Sequence, residues 1–305
     1  MKVAALDLGT NTFLCLIADV ESGAVSKIHA DEVRVVRLGQ DVNQTRRFHP
    51  DALIRARQAL MEFAELIKRH QPQKILAMAT SAARDVSNAE ELFMIGRELK
   101  IPIQIIPGER EAEITYAGAV SGSADSRRRL VIDVGGGSTE LIVGTGSRLV
   151  AGESLNLGCV RLTEQFQLRT PVSDEKIEQV RAWIQNEMKP TLANLKSKIG
   201  ENLEEVLAVA GTPTELARVE IGAFIPEKID GFLLTQSKLE SWIQIFKTHT
   251  KDEIIQKFSV HPGRADVILV GALLLLECLR ATSMDAMKVS TRGVRYGVAL
   301  EMVRP

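Results

Sequence analysis

The chain has 305 residues, 45% of them apolar and 25% charged, which is ordinary globular composition with length for one large or two medium domains. Its formal net charge of −1 excludes a nucleic-acid binder held by bulk charge, so a polyanionic ligand would need locally placed Arg and Lys or a bound cation. Cys15, Cys159 and Cys278 are odd in number, far apart and outside any CxxC pair, which argues against a disulfide framework or zinc cluster and fits a reducing cytoplasm. The longest uncharged apolar run, 267–276, is too short to cross a bilayer, and Asp7 interrupts the first apolar stretch. A soluble cytoplasmic protein without a membrane partner is expected.

In chain order, β-type runs predict strands at 3–8, 13–20 and 24–37, the last two separated by the turn Glu21-Ser22-Gly23. Leu53, Ala56, Leu60, Phe63 and Ile67 recur at spacings of three and four, predicting an amphipathic helix that Pro50 begins and Lys68-Arg69-His70 ends. A strand at 74–79, a helix at 88–99, a strand at 103–106 and a helix at 109–120 follow. The small, polar segment 121–126 is the linker candidate. The second half begins with a strand, an acidic turn and a strand over 129–145, then a strand at 148–157. Helices are predicted at 174–197 and 235–247, a short strand at 206–210, a buried helix at 266–280, a strand at 286–289 and a closing helix from Gly293 to Val303. This pattern divides the chain into 1–120 and 121–292, with a C-terminal helix within 293–305 packing back on the first domain.

One unusual turn occurs twice. Asp7-Leu8-Gly9-Thr10-Asn11-Thr12 and Asp133-Val134-Gly135-Gly136-Gly137-Ser138-Thr139-Glu140 each follow a strand and lead into another, with Asp7, Gly9 and Thr12 matching Asp133, Gly135 and Ser138 at one constant offset. A strand-end carboxylate can hold a metal, and turn amides and hydroxyls can hold a phosphate. The first copy alone reads first as a β-hairpin turn. The second is more specific, because three glycines cost conformational entropy unless something must approach the backbone.

Four further segments carry alternatives. Thr80-Ser81-Ala82-Ala83-Arg84 could grip phosphate through hydroxyls and a guanidinium, or could be a helix cap with a solvated Arg. In Pro107-Gly108-Glu109-Arg110-Glu111-Ala112, either Glu could orient or deprotonate a water, or simply favour a helix N-terminus. Gly211-Thr212-Pro213-Thr214 reads as an anion contact at a helix start or as N-capping by Thr212. Arg292 and Arg295 lie at a strand-to-helix junction, where either could reach a phosphate or remain a surface charge. The five His are scattered without metal-ligand spacing.

Read together, DLGTNT at 7–12, ATSAARD at 79–85, PGEREA at 107–112, VIDVGGGSTEL at 131–141, LGCVRLTEQF at 157–166, AGTPTELA at 210–217, HPGRADVILVGALLL at 261–275 and STRGVRYG at 290–297 resemble the exopolyphosphatase / guanosine-pentaphosphatase family of the actin-like superfamily. The resemblance implies an α/β fold of two duplicated actin-like (ribonuclease H-like) domains with an interdomain active-site cleft, in the family's short two-domain form. It implies Mg2+-dependent (or Mn2+-dependent) hydrolysis of the terminal phosphoanhydride of inorganic polyphosphate. The alternatives are hydrolysis of the guanosine polyphosphate pppGpp, or a regulator that binds such ligands without turnover. It makes Glu111 the base that activates water, and places Asp133 and Glu140 around the metal and the scissile phosphate, with Asp7 as a further metal ligand. Thr10, Asn11, Thr12, Gly136, Gly137, Ser138 and Thr139 would cradle phosphates, Arg84 would clamp the chain, and Gly211, Thr212 and Arg295 would add contacts. Where the family pattern shows Ser this chain has Thr10 and Thr12, and where it shows an acid before the motif Glu this chain has Arg110. A homodimer is expected, and no nucleic-acid partner.

Overall fold

The computed structural model describes residues 1–199, 203–282 and 284–304, and the chain forms two compact units. Unit 1 comprises Met1–Ala124 and Arg292–Pro305, and unit 2 comprises Asp125–Thr291. Along unit 1 run β1 (Lys2–Leu8), β2 (Thr12–Glu21), β3 (Ala24–Val35), α1 (Val42–Thr45), α2 (Pro50–His70), β4 (Lys74–Ala79), α3 (Ser81–Arg84), α4 (Ala89–Glu98), β5 (Ile103–Ile105) and α5 (Gly108–Ala119). Unit 2 begins with β6 (Arg128–Val134), β7 (Thr139–Thr145), β8 (Arg148–Leu155), α6 (Cys159–Gln165), α7 (Asp174–Ile199) and β9 (Glu205–Val209). It continues through α8 (Gly211–Ile221), α9 (Pro226–Ile229), β10 (Leu233–Thr235), α10 (Gln236–Thr248), α11 (Lys251–Phe258), α12 (Ile268–Arg280) and β11 (Ala286–Val289). The chain then returns to unit 1 as α13 (Val294–Glu301).

Each unit is built on one mixed sheet, and the two sheets share a plan. In unit 1 the order is β3-β2-β1-β4-β5, with β3, β2 and β1 antiparallel and β1, β4 and β5 parallel. In unit 2 the order β8-β7-β6-β9-β11 repeats that pattern, and β10 is added antiparallel at the far edge. The chain is thus an α/β duplication of the actin-like type. The central strands β1 and β6 are apolar on both faces because each is covered on both sides, as a parallel core requires.

Local chemistry sets the boundaries. The first helical residue of α2 is Pro50, the His49 side chain accepts from the Asp51 amide, and Lys68, Arg69 and His70 occupy its last turn. Its stripe Ala52, Leu53, Ala56, Ala59, Leu60, Phe63 and Ile67 is buried. The α12 helix is buried on every side from Ile268 to Leu279, but starts later than its apolar run suggests because the chain is still in turns up to Val267. The predicted strands 24–37 and 148–157 end at Val35 and Leu155, where the chain leaves the sheet. Short α1, α3, α6 and α9, edge strand β10 and α11 were not expected from periodicity. The α13 helix covers Val294–Glu301, and residue 305 of the predicted 293–305 segment lies outside the described residues.

Candidate active site

The chemistry-bearing segments of unit 1 lie where strands end. The turn after β1 closes with the Gly9 amide donating to the Thr12 carbonyl at 3.1 Å. The Thr10 carbonyl accepts from the Gly39 amide, and the Asn11 carbonyl from those of Val36 and Arg37. In a trans peptide the carbonyl and the following amide point in opposite directions. The Asn11 and Thr12 amides are therefore turned away from the 36–39 segment. Thr10 and Asn11 are buried and Asp7 is half-buried, paired across the ladder with Leu14.

At the end of β4, Arg84 closes α3 and sends Nη1 to the Ile106 carbonyl at 2.9 Å and to Glu111 Oε2 at 2.6 Å. This joins the C-terminal ends of β4 and β5. Glu111, in the first turn of α5, is only 6% exposed. Burial pushes its carboxyl above the usual range, and the charge and hydrogen bond of Arg84 act against that, with the net shift upward. Two predicted site residues are thus partners of each other. Arg295 has a different employment: Nε and Nη2 grip both oxygens of Asp31 at 2.7 and 2.8 Å, and its guanidinium lies 5.1 Å from the Tyr296 ring centroid. Burial pulls its charge down, yet Asp31, with a smaller part from Asp7, holds the net shift upward. In this structure the guanidinium ties β3 to α13.

Unit 2 repeats the turn with more apparatus. The Gly135 amide donates to the Ser138 carbonyl at 3.0 Å, the counterpart of the Gly9 bond. The start of α6 then takes up the carbonyls: Cys159 donates to Gly135, Val160 and Arg161 donate to Gly136, and Arg161 Nε reaches the Gly137 carbonyl at 2.7 Å. By the same trans-peptide argument the amides of Gly136, Gly137 and Ser138 point away from α6, a run of donors suited to an anion. The helix consumes its own N-terminal donors in fixing the loop. Gly158 is required here, since a Cβ on it would overlap backbone atoms of Gly136 and Gly137. Thr139 braces this turn: it is fully buried and its hydroxyl donates to the Leu157 carbonyl.

Asp133 and Glu140 are directly opposite across β6 and β7, so both carboxylates project from one face of the sheet. Both are buried, and Ser154 Oγ donates to Glu140 Oε1 at 2.7 Å. Two carboxylates so placed repel when both are charged, and a hard divalent cation with oxygen ligands relieves that. The donor set therefore fits Mg2+. Among the described residues no three His, Cys, Asp or Glu side chains gather into a metal cage. This pair would supply part of a shell and leave the rest to water and phosphate oxygens, as Mg2+ is commonly held.

The other strand end of unit 2 leads into α8. Ala210 caps that helix at φ 74° and ψ −165°, a region open essentially to glycine, at a strain of about 1–3 kcal/mol. Thr212 is not the cap; it is buried in the first turn against Gly271 of α12. Gly211 lies so close to Arg264 that a Cβ there would overlap the guanidinium. Burial pulls the Arg264 charge down, opposed by Glu215. Arg161, Gly158 and Arg264 pack against these turns, and their sequence signal is their place in the matched segments LGCVRLTEQF and HPGRADVILVGALLL.

The sequence model of the Ppx/GppA phosphatase family matches residues 16–304. The chain is 34% identical to exopolyphosphatase 2 of Mycobacterium tuberculosis, across 99% of this chain and 98% of that one. An exopolyphosphatase-like protein of known crystal structure superposes with a TM-score of 0.91 at 30% identity, covering 99% of this chain and 97% of the other. An exopolyphosphatase from Cytophaga hutchinsonii superposes with a TM-score of 0.89 at 25% identity, covering 100% and 99%.

Proposed function

The chain belongs to the Ppx/GppA phosphatase family, and from that premise we propose that it is an exopolyphosphatase, a hydrolase that removes orthophosphate from the end of inorganic polyphosphate. The observation that carries the mechanism is Glu111: buried, pushed upward in pKa, and held by Arg84 at 2.6 Å. A general base works best with its pKa moved toward the operating pH, and burial moves this carboxyl that way. Water attacks the terminal phosphorus, its proton goes to Glu111, and the bond from phosphorus to the bridging oxygen breaks, leaving the shortened chain as leaving group. The amides of Gly136, Gly137 and Ser138 donate to oxygens on which charge develops. Asp133 and Glu140 would hold Mg2+, which when bound offsets phosphate charge. The three described cysteines are free and buried, and burial pushes their thiols up to about 12, 11 and 12, so none is offered as a nucleophile in this reaction.

Purified protein with Mg2+ is expected to release orthophosphate from polyphosphate. Glu111→Gln should lower kcat by roughly 10²–10⁴-fold while leaving polyphosphate binding in place. Undiminished turnover in that variant would sink the base assignment, and release from pppGpp but not from polyphosphate would overturn the substrate.

A further inference from the structure

The helix that carries Glu111 lies against the last helix of the chain, backbone to backbone. A Cβ on Gly118 of α5 would overlap the Gly293 carbonyl oxygen and stand 2.7 Å from the Gly297 amide nitrogen. A Cβ on Gly297 of α13 would overlap the Ile114 carbonyl oxygen. At the start of α5, Arg110 donates to Glu301 at the end of α13, and also to Glu113. The three contacts form one register: Gly118 with Gly293, Ile114 with Gly297, Arg110 with Glu301, each stepping by one helical turn in opposite chain directions. Residues a turn apart share a helix face, so this row lies on one line along α5. Glu111 begins the adjacent row, about 100° around the helix, with Thr115 and Ala119 buried below it.

We propose that α13 is a positioning element for the base, and that Arg110, Gly118, Gly297 and Glu301 are positioning residues that fix the rotation and axial place of α5. The inference rests on Glu111 being the base. Ordinary helix pairs stay 8–10 Å apart on side chains that can adjust, but here carbonyls meet glycines and have nothing to yield. Arg84 holds the Glu111 carboxylate from one side, and the α13 register holds its helix from another. An acid at position 110 would face both Glu301 and Glu113 with like charge. The positive charge of Arg110 is therefore part of the register.

The test uses the full chain with polyphosphate and Mg2+. Gly297→Ala must separate the two helices, and a misplacement of about 1 Å at a reacting group costs on the order of 10²-fold in rate. Its expected signature is a fall in kcat with KM nearly unchanged. Because that variant could fail to fold, Arg110→Glu is measured beside it. It should lower kcat without moving KM and speed amide hydrogen exchange in α5, and adding Glu301→Arg to the same chain should recover both. Parental kcat in Arg110→Glu, or a loss that Glu301→Arg does not recover, overturns the proposal. Glu111→Gln in the same series separates this from failure of the base assignment: full turnover there removes the base, whereas the exchange of α5 reports on α13 regardless.

Discussion

Glu111 sits between two opposed influences, burial that raises its pKa and Arg84 that lowers it, and burial prevails. The folded state therefore binds this proton more tightly than the unfolded chain does. The associated stability is fully present below the ordinary value of 4.5 and is lost as pH rises through the raised folded value. Arg84→Gln removes the opposing charge and moves the carboxyl further up. The variant should be less stable than the parent near neutral pH, with the deficit shrinking as pH falls toward 4.5. Urea unfolding across that window checks this, and an equal deficit at both ends would contradict it. None of this pairing was legible in the sequence. By type and setting Arg84 and Glu111 each carried two readings, only the family resemblance gave them roles, and 27 positions of separation say nothing of contact. Asp31 and Arg295 are 264 positions apart, so their pairing is equally invisible in the sequence. The Thr139 bond was illegible for another reason: a hydroxyl in a glycine turn looks the same whether it faces a ligand or a neighbouring carbonyl.

At the scale of elements, the twin turns were legible because their signal is local. Glycines, a strand-end acid and flanking apolar runs fix a tight turn between antiparallel strands, and the Gly9–Thr12 and Gly135–Ser138 bonds are that turn made twice. The strand Lys74–Ala79 and the helix α2 were equally readable, one from its apolar run and the other from its stripe and caps. Short helices were not, because fewer than two turns carry no period. Helix α11 is the exception that should have been read: Thr250 and Glu253 form a capping box. What makes the turns unequal is tertiary. The second is clamped by α6 across Gly158, and its Asp faces a Glu where the first faces Leu14. Gly158→Ala should force α6 off the loop, since the overlapped atoms are backbone and cannot rotate aside. The amides of Gly136 to Ser138 then lose their common direction, and kcat/KM should fall by about 10²-fold or more. A variant that releases phosphate at the parental rate would show that α6 does not set the loop.

On the scale of the whole molecule, the chain leaves unit 1 after Ala124, builds unit 2, and comes back. Unit 1 has a core layer it cannot complete until then. Val294, Tyr296, Val298, Leu300 and Met302 are buried with Val3, Ala5, Leu16 and Ala18 on one face of the first sheet. At roughly 1.5–3 kcal/mol for each large side chain, an upper bound because unfolded chains already hide some surface, these five contribute on the order of 10 kcal/mol. That rivals the entire stability of a typical domain, about 5–15 kcal/mol. Lys74 adds a bond to the Met302 carbonyl from 228 positions away. Among the described residues, the main core of unit 2 holds none from beyond residue 289. A chain ending at Thr291 should therefore keep slow amide exchange in β6, β9 and α12, lose it in β1, β4 and α5, and release no phosphate. Protection that survives in β1 would mean that α13 positions α5 without holding up the sheet, and protection lost equally in both units would mean that they fold as one.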